Sequence, residues 1–441
     1  MSKFIVLGGK PLKGTYIVSG AKNAGPKLPI ASLLSKEKCT FHNIPRISDT
    51  YRSIDALTSL GCSVRFTDKN SVEVESLNIH SSEIPLEAMS ARQAVLFIGA
   101  TLARTGNVII YPPKGDAIGK RPLNRHLEGI KALGGIVMEK NNRMEISMPI
   151  RPESVTYTFE KNTHCGTENL ILASVFNIGK VILKNAAQEP EVDNLIKCVN
   201  DMGAKIKRIE PRVIEIIGVE PLLKEVTAVS IYDRLEAATA IVLSIMTGGN
   251  IAVKNASKEL LEPLLKSLKK VGIEISFKKN IAKIIKINKP LKPAEIISDW
   301  HPGFMTDWQP LITLLLAYMA DGKSMIHERI FETRWRYLGE LQKMGLRYDL
   351  FHPDEHGPEY YNFNDSEYDA RETYATNVYG PTDLQPAELN SHDVRAGMNM
   401  LLASLVAHGK SIINDPSNHI DRGYENIVEK LNDLGADIKR V

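Results

Sequence analysis

LTSLGCSVRF, residues 57–66, decides the fold of this chain because a closely similar stretch returns at five later positions. In each copy an amphipathic segment ends in an apolar residue and Gly, and an alternating apolar run follows. The later copies are IKALGGIVME (130–139), VNDMGAKIKRI (199–209), LKKVGIEISF (268–277), LQKMGLRYDL (341–350) and LNDLGADIKR (431–440). Glycine takes the left-handed conformation just past a helix end without a Cβ penalty. Each copy therefore predicts a helix, a glycine stop and a strand.

A second pattern recurs between these glycines: an apolar helical run, a turn, and a short strand that ends in polar residues. Its strands begin in EKCTFHNIPR, TGNVIIYPP, IGKVILKNAA, GGNIAVKNA, DGKSMIHERIFE and HGKSIINDPSN. Successive glycine stops lie 73, 69, 69, 73 and 90 residues apart. Self-similarity at a nearly fixed period indicates a fold built from one supersecondary unit. The sequence thus predicts an α/β fold of six helix–strand repeats.

The length of 441 residues fits two domains, and six repeats divide into two groups of three. The pattern leaves open which half takes the first strand, FIVLGG. The last interval is the longest, and its extra residues fall in an acidic, tyrosine-rich stretch from Phe351 to Gly380. We expect a surface loop or hairpin insertion there. A lid or a partner surface is the alternative.

Composition narrows the class of protein. A net charge of +3 gives no footprint of nucleic-acid or membrane binding. The four cysteines are scattered without metal-ligand or disulfide spacing, and no cluster of His, Asp and Glu predicts a metal. The N-terminus lacks the apolar core of a signal peptide, and the apolar runs are too short to span a bilayer. We therefore expect a cytoplasmic protein.

The first candidate site residues are Lys22 and Asn23 in SGAKNAGPKLP, residues 19–29. Ser-Gly ends a strand and an apolar helical run follows, so the sequence predicts Lys22 at a strand-to-helix turn. Free backbone N–H groups and the helix dipole attract an anion there, and the ammonium adds a full charge. An ordinary surface lysine is the alternative.

The second candidate is the loop YPPKGDAIGKRPLNRHLEGI, residues 111–130. Prolines and glycines constrain it, and Arg121-Pro122 is predicted to begin the next helix. Around the carboxylate of Asp116 the sequence places five basic side chains: Lys114, Lys120, Arg121, Arg125 and His126. This composition favours a site for an anionic ligand, with a solvated basic turn as the alternative.

Two further candidates lie at later junctions between loops and helices. Asp307 in WHPGFMTDWQP either caps a helix or accepts a proton from a substrate hydroxyl. Arg395 follows Asp393 in SHDVRAGMN, and Arg422 lies in NHIDRGYENI. Arginines at such junctions bind carboxylate or phosphate in bidentate fashion, or they form ion pairs with a local Asp.

These segments, in this order, resemble the enolpyruvyl transferase family. The resemblance runs nearly end to end and rests on SGAKNA, the I-G-x-R-P loop, KNTHCGTEN, KNAAQEPEV, YDRLEAATA, HPGFMTDWQ, IFETRW, DVRAG and NHIDRGYE. It implies a two-domain inside-out α/β barrel with parallel helices inside, sheets outside and the active site in the interdomain cleft. It also implies a first domain of residues 22–230, with a mobile loop near 111–121. The second domain would combine residues 1–21 with 231–441, including the insertion near 351–380.

The resemblance also implies the chemistry, and it is closest for the branch of the family that acts on UDP-N-acetylglucosamine. Enolpyruvyl would pass from phosphoenolpyruvate to the sugar 3-hydroxyl by addition and elimination, at the entry to peptidoglycan precursor synthesis. Lys22, Arg121 and Arg422 match cations that hold phosphoenolpyruvate, and Arg92 and Arg395 match further cleft arginines. Asn23 matches a sugar-orienting residue and Asp307 the base. The remaining substrate-binding positions are Pro122, Leu123, Asn124, Arg125, Lys161, Thr163 and Ile330.

The chain departs from the family pattern at the mobile loop, where Asp116 stands in place of the usual Cys. Our hypothesis is that Asp116 donates the proton to the methylene carbon of phosphoenolpyruvate. Basic neighbours lower the pKa of such a carboxyl, and bound substrate anions partly offset them. A carboxylate is not alkylated as a thiolate is, so we expect resistance to fosfomycin.

Further departures concern the nucleotide stretch, where Asn124 replaces a usual Asp, and His164 and Cys165 replace small residues. They leave two alternatives open: transfer to another nucleotide or nucleotide-sugar acceptor, or a non-catalytic protein that binds a nucleotide sugar. Retention of the phosphoenolpyruvate cations argues against the second. We expect no cofactor, no nucleic-acid or membrane partner, and a monomer.

Overall fold

The structure is a computed structural model that describes residues 2–115, 118–354 and 356–441. Its contacts divide the chain into two compact units. The first unit comprises Gly20–Gly115 and Pro122–Ile231. The second unit comprises Met1–Ser19, Asp116–Arg121 and Tyr232–Val441. Asp116 itself, with Met1, Ala117 and Glu355, lies outside the described residues.

Helices and strands alternate along both units in the order that the repeats predict. The helices are α1 Ser48–Leu60, α2 Leu96–Thr105, α3 Asn124–Ala132, α4 His164–Ser174, α5 Pro190–Asp201, α6 Arg234–Met246, α7 Glu262–Lys270, α8 Gln309–Met319, α9 Arg336–Gln342, α10 Val394–Val406 and α11 Ile427–Asn432.

The strands are short, as expected for hairpins that cover helices. They are β1 Ser2–Gly8, β2 Lys13–Ile17, β3 Lys38–His42, β4 Ser63–Phe66, β5 Val72–Glu75, β6 Asn107–Ile110, β7 Ile136–Lys140, β8 Arg143–Ser147, β9 Ser154–Thr158, β10 Lys180–Lys184, β11 Lys205–Glu210, β12 Val213–Ile217, β13 Thr227–Val229, β14 Asn250–Lys254, β15 Ile273–Lys278, β16 Ile281–Ile287, β17 Glu295–Ile297, β18 Gly322–His327, β19 Arg347–Phe351, β20 Ala375–Gly380, β21 Glu388–Asn390, β22 Gly409–Asp415 and β23 Asp437–Arg440.

The predicted glycine stops are confirmed at every copy of the repeat. The φ angles at the six positions lie between 93° and 113°, in the left-handed half of the map. The glycines are Gly61, Gly134, Gly203, Gly272, Gly345 and Gly435. Each follows one of the amphipathic helices and precedes a strand within two residues. The corner between helix and strand is therefore the same in all six repeats.

The apolar runs form helices that lie inside each unit. In the second unit every residue of α6 and of α10 is buried, and α8 is buried except near its end. In the first unit α2 and α4 pack against each other and are buried along most of their length. The third inner segment, Leu28–Leu34, is a fully buried 3₁₀ helix rather than the expected α-helix. Pro26 and Pro29 lack N–H donors, which disfavours a regular α-helix there.

Each repeat contributes a small sheet whose apolar face covers the inner helices. The first unit contains the sheets β13-β3-β5-β4, β6-β8-β7 and β11-β12-β10-β9. The second contains β15-β16-β14-β2, β17-β18-β20-β19 and β21-β22-β1-β23. Each four-stranded sheet has one outermost strand that runs parallel to its neighbour, as β17 does beside β18. The sheets thus repeat one topology.

The N-terminal strand completes the last repeat. β1 pairs antiparallel with β22 on one side and with β23 on the other. β2 pairs parallel with β14. The first seventeen residues therefore supply strands to two sheets of the second unit.

The inserted stretch is shorter than the sequence predicts. Residues 375–380 form β20, which pairs with both β18 and β19 and belongs to the fifth sheet. Phe351 is the last residue of β19. The insertion is therefore residues 352–374, the connection of the β19–β20 hairpin. The sequence did not single out the strand ATNVYG, which lies within the stretch predicted as inserted, because its neighbours are acidic and tyrosine-rich.

A pair of glycine variants tests the role of the repeated corner. Gly203 has φ 113° and no heavy atom within 4 Å of a built Cβ, so Gly203→Ala meets backbone strain alone. We expect a loss of about 1–2 kcal/mol in the free energy of unfolding, measured by urea denaturation. At Gly61 the added Cβ would also lie 2.4 Å from the Asn78 carbonyl oxygen. Gly61→Ala should therefore cost clearly more, and equal losses would contradict this account.

Candidate functional site

In the first unit a buried carboxylate fixes the position of Lys22. The Lys22 ammonium lies 3.1 Å from Oδ2 of Asp49, which is fully buried in the first turn of α1. Arg52 approaches the other carboxylate oxygen at 3.1 Å. Opposite charges at this distance attract each other, which restricts where the ammonium group lies. Lys22 is thus a positioned cation whose side chain stays partly exposed.

The local setting of Lys22 differs from the prediction. The helix that follows SGAKNA begins at Leu28, so Lys22 and Asn23 lie in a preceding turn and not at a helix start. The helix-dipole argument for an anion at Lys22 was therefore wrong. The Asp49 contact takes its place, and it orders a cation that the turn alone would leave mobile. Asn23 is half-buried in the same turn.

The predicted nucleotide stretch and the segment 161–163 meet in the first unit. Arg125 donates from NH1 to the carbonyl of Asn162 at 3.3 Å, between Lys161 and Thr163. Thr163 caps α4 by accepting the Gly166 N–H at 3.2 Å. Arg92 donates to the carbonyl of Pro122 at 3.4 Å. These contacts bring basic side chains and a helix N-terminus together, an arrangement suited to a phosphate group.

The start of α3 also corrects the prediction. The helix begins at Asn124, with Leu123 at its N-cap, so Pro122 is not in its first turn. Arg121 has φ 46°, an uncommon conformation for a residue other than glycine. Arg121 belongs to the second unit, whereas Pro122, Leu123, Asn124 and Arg125 belong to the first. Leu123 is buried, and Asn124 is half-buried.

The pKa of His126 reflects the positive charges of the neighbouring arginines. The ring is buried, and Nδ1 lies 3.0 Å from the amide nitrogen of Asn169. Burial, together with the charges of Arg92 and Arg125, lowers the pKa of His126 to about 3. His126 is therefore neutral in the folded protein at ordinary pH, and it is not one of the cations that the sequence offered.

A buried charge cluster beside these residues was missed at the sequence level. Lys27 Nζ lies 2.6 Å from Oε2 of Glu168 and 3.2 Å from Nε2 of His164. Burial alone would lower the pKa of Lys27, but Cys165 and Glu168 outweigh it and raise the pKa. The second lysine of SGAKNAGPK was the available signal. Through His164 and Glu168, Lys27 joins the segment SGAKNAGPK to the beginning of α4.

In the second unit Asp307 lies in a 3₁₀ turn, Thr306–Trp308, directly before α8. It is the N-cap residue of neither the 3₁₀ turn nor α8, whose N-caps are Met305 and Trp308. Oδ1 accepts from Arg334 at 2.7 Å and Oδ2 from Arg395 at 3.4 Å. Two guanidinium groups therefore orient the carboxylate and stabilise its charge. The partner of Arg395 is therefore Asp307, 88 residues away in the chain, a pairing that the sequence did not indicate.

Arg395 is held at the N-terminal end of α10. Asp393 caps this helix by accepting the backbone N–H groups of Arg395 and Ala396. NH1 of Arg395 donates to the Tyr424 hydroxyl at 3.1 Å. Although burial lowers the pKa of Arg395, Tyr424 and Asp307 raise it well above its ordinary value. The guanidinium is a permanent charge beside Asp307.

The other predicted residues of the second unit lie in separate segments. Arg422 is buried in a short 3₁₀ helix, Ile420–Arg422, and not at the start of α11. Ile330 donates its N–H to Oε1 of Glu328 at 2.8 Å. The carboxyl group of Glu328 therefore fixes the backbone on which Ile330 lies.

The end of the glycine-rich loop contacts the segment after Ile330. The Lys120 N–H donates to Oε1 of Glu332 at 2.6 Å. The Thr333 N–H donates to the carbonyl of Ile118 at 3.3 Å. The Arg121 guanidinium carbon lies 5.9 Å from the centre of the Phe331 ring. Asp116, the residue predicted to donate a proton, lies outside the described residues, so its role stays a prediction.

The described residues offer neither a metal centre nor a membrane-spanning helix. Across residues 2–115, 118–354 and 356–441, no group of three His, Cys, Asp or Glu side chains could hold a metal ion. Within the same ranges no helix has both the length and the apolar character needed to cross a bilayer.

Comparison with known proteins gives a consistent result over the whole chain. A family profile described as EPSP synthase (3-phosphoshikimate 1-carboxyvinyltransferase) matches residues 6–431. The chain is 38% identical to a UDP-N-acetylglucosamine 1-carboxyvinyltransferase of Chlamydia abortus, with 98% of this chain and 97% of the relative covered. It is 34% identical to a protein of the same name from Idiomarina loihiensis, with both chains fully covered.

Solved structures show the same fold at lower sequence identity. The enolpyruvyl transferase NikO from Streptomyces tendae superposes with a TM-score of 0.85 at 20% identity, covering 100% of this chain and 99% of the other. EPSP synthase from Acinetobacter baumannii gives 0.70 at 16% identity, with both chains covered fully. The predicted fold class is confirmed by these similarities.

The low pKa of His126 makes a prediction about acid stability. Unfolding returns its pKa to about 6.5, so the unfolded chain binds a proton that the folded chain excludes until the pH nears 3. The contribution of His126 to the free energy of unfolding is therefore complete above pH 6.5 and is lost as the pH falls below that value. Between pH 7.5 and 5.0 the wild type should lose about 2 kcal/mol more free energy of unfolding than His126→Gln.

Urea denaturation at the two pH values measures this difference. His80→Gln, at an exposed histidine of the same unit, is the matched control and should follow the wild type. Parallel losses in the wild type and His126→Gln would show that His126 is not held neutral by the fold.

Proposed function

The chain belongs to the enolpyruvyl transferase family, and on that premise we propose that it transfers enolpyruvyl from phosphoenolpyruvate to the 3-hydroxyl of UDP-N-acetylglucosamine. The observation that carries the proposal is the end-to-end similarity to 1-carboxyvinyltransferases named for that acceptor. The oriented carboxylate of Asp307 and the ordered cation of Lys22 support it. The reaction would open peptidoglycan precursor synthesis, and we propose that the protein acts in the cytoplasm as a monomer.

The cations account for the charges of the substrates. Phosphoenolpyruvate carries a phosphate and a carboxylate, and the acceptor carries a diphosphate. In this proposal Lys22, Arg121 and Arg422 bind phosphoenolpyruvate, and Arg92 and Arg395 add positive charge beside it. Arg125, Lys161 and Thr163 bind the nucleotide, while Asn23 and Ile330 orient the sugar. Donors fixed before the substrate arrives stabilise developing charge without reorganisation.

The reaction has two stages in this scheme. In the addition, the 3-hydroxyl oxygen bonds to C2 of phosphoenolpyruvate, the hydroxyl proton passes to Asp307, and the methylene carbon gains a proton from Asp116. In the elimination, Asp116, now a carboxylate, takes a proton from the methyl carbon, the C–H electron pair forms the double bond to C2, and the bond from C2 to the phosphate oxygen breaks. The products are the enolpyruvyl ether and phosphate. Arg334 and Arg395 hold the Asp307 carboxylate toward the hydroxyl.

Phosphate release is the direct test of the proposed function. We would incubate the protein with phosphoenolpyruvate and UDP-N-acetylglucosamine, with UMP, with shikimate 3-phosphate, and without acceptor. Release with UDP-N-acetylglucosamine alone is the expected result. Release with another acceptor would reassign the substrate. Binding of phosphoenolpyruvate without release in any reaction would favour the non-catalytic alternative.

The role of Asp307 predicts a split between catalysis and binding. Asp307→Asn keeps the size and one acceptor oxygen but removes the basic group. We expect kcat to fall by a factor of about 10²–10⁴, with the KM for phosphoenolpyruvate nearly unchanged. Asp321→Asn, at an exposed residue just before β18, is the matched control. Full activity of Asp307→Asn would exclude Asp307 as the base.

The role of Asp116 predicts both a loss of activity and a gain of drug sensitivity. Asp116→Ala should lower kcat by about 10²-fold or more because it removes the proposed acid. The wild type should not be labelled by fosfomycin, whereas Asp116→Cys should be, since a thiolate attacks the epoxide. Mass spectrometry of the intact protein measures labelling. Labelling of the wild type, or full activity of Asp116→Ala, would contradict the assignment.

A further inference from the structure

The fifth repeat differs from the others at its hairpin connection. The equivalent connections β7–β8, β11–β12 and β15–β16 are two-residue turns, the last being Lys279–Asn280. Between β19 and β20 the insertion occupies residues 352–374. It leaves the fifth sheet at the end where β18 finishes, since Ala375 pairs with His327. The insertion therefore lies at the edge from which the Glu328–Arg334 segment begins.

The insertion is a folded element with a core of its own. Tyr361, Phe363 and Tyr374 are buried together, separately from the main cores of the two units. The Tyr361 ring centre lies 4.9 Å from that of Phe363 and 4.8 Å from that of Tyr374. Packed aromatic rings of this kind fix a loop in one conformation.

Hydrogen bonds join this folded insertion to Glu328 and Arg329, the first two residues of the Glu328–Arg334 segment. The Glu328 N–H donates to the carbonyl of Tyr374 at 2.8 Å, and the Asn362 N–H donates to the carbonyl of Arg329 at 2.8 Å. Arg329 donates from Nε and NH2 to the carbonyl of Tyr360 at 3.0 and 2.9 Å. Its guanidinium lies 3.9 Å from the Tyr360 ring centre. The backbone of Glu328 and Arg329 is thus held from both sides.

Glu328 also links these hydrogen bonds to the residues around Asp307. Its Oε1 accepts from the Ser298 hydroxyl and from the Ile330 N–H, each at 2.8 Å, and its Oε2 accepts from Thr306 at 2.8 Å. Arg334 then donates to the Thr306 hydroxyl at 2.8 Å and to Asp307 at 2.7 Å. Glu328 and Arg334 are buried, so each lost partner would leave a costly unsatisfied group.

We propose that the insertion, residues 352–374, is a positioning element for acceptor binding, acting through Arg329 and Glu328 on Ile330 and Asp307. The inference rests on the proposed function. The insertion does not touch the reacting atoms in this account. It fixes the backbone of Ile330 and the carboxylate of Asp307, the residues assigned to the sugar.

Replacing the insertion with the chain's own short turn tests the proposal. Residues 352–374 are exchanged for Lys-Asn, the turn between β15 and β16, and phosphate release is measured against each substrate. We expect the KM for UDP-N-acetylglucosamine to rise about tenfold or more and the KM for phosphoenolpyruvate to stay within about twofold. Unchanged values for both substrates in an active variant would overturn the proposal. An inactive wild type would instead overturn the proposed function.

A point variant decides the matter if the exchanged chain fails to fold. Arg329→Met keeps the aliphatic stem and removes both N–H donors to Tyr360. Arg371→Met is the control, because Arg371 lies in the same insertion and pairs with Asp369 at the surface. We expect Arg329→Met alone to raise the acceptor KM, and Arg329→Lys to recover part of the loss. A lower melting temperature with kcat and both KM values unchanged would show a merely structural role and contradict the proposal.

Discussion

The turn from each outer helix into its strand depends on a backbone conformation that glycine alone adopts without strain. Six glycines hold φ angles between 93° and 113°, and each sends the chain back along a sheet that covers an inner helix. A residue with a Cβ at this corner would resist the reversal. Closing the hairpins over α6 and α10, whose every residue is buried, would then carry backbone strain at each corner. Local backbone sterics therefore determine the layered architecture.

The candidate site depends on a second constraint, which is that its cations are held by carboxylates of the chain itself. Asp49 holds Lys22, Glu168 holds Lys27, and Asp307 lies between Arg334 and Arg395. A buried ion pair contributes little net stability because desolvation opposes the attraction. It does restrict where each charge can lie. At the positions where anionic ligands are expected, the ion pairs thus fix the location of each charge but add little to stability.

Much of the fold could be predicted from sequence because its signals are local. A glycine after an amphipathic run is visible in ten residues, and the six corners follow from it. The 3₁₀ helix Leu28–Leu34 was missed because its apolar run resembles that of the α-helices. The boundary of β20 was missed because Ala375–Gly380 is continuous in composition with the insertion before it. In these places neighbours in space, and not in sequence, set the conformation.

Some residues of the candidate site could be predicted from the sequence, whereas their partners could not. Lys22, Asp307 and Arg395 stand in segments whose residue types indicate their chemistry. Their partners carry no such signal. Asp49 lies 27 residues from Lys22 and Arg334 lies 27 residues from Asp307, and no periodicity links them to the site. Arg121 and Asn124 are neighbours in sequence yet belong to different units. Sequence patterns find the charges, whereas packing decides which charge faces which.

The place of β1 has a consequence for the order of synthesis. The ribosome makes this strand before its partners β22 and β23, which lie about 400 residues later in the chain. The residues of the first unit emerge in between, and except for 116–121 they form one continuous run. The nascent β1 must therefore wait, with unpaired backbone groups, until these later strands have been made. A chaperone that shields exposed strand edges would find its target in β1 during that interval.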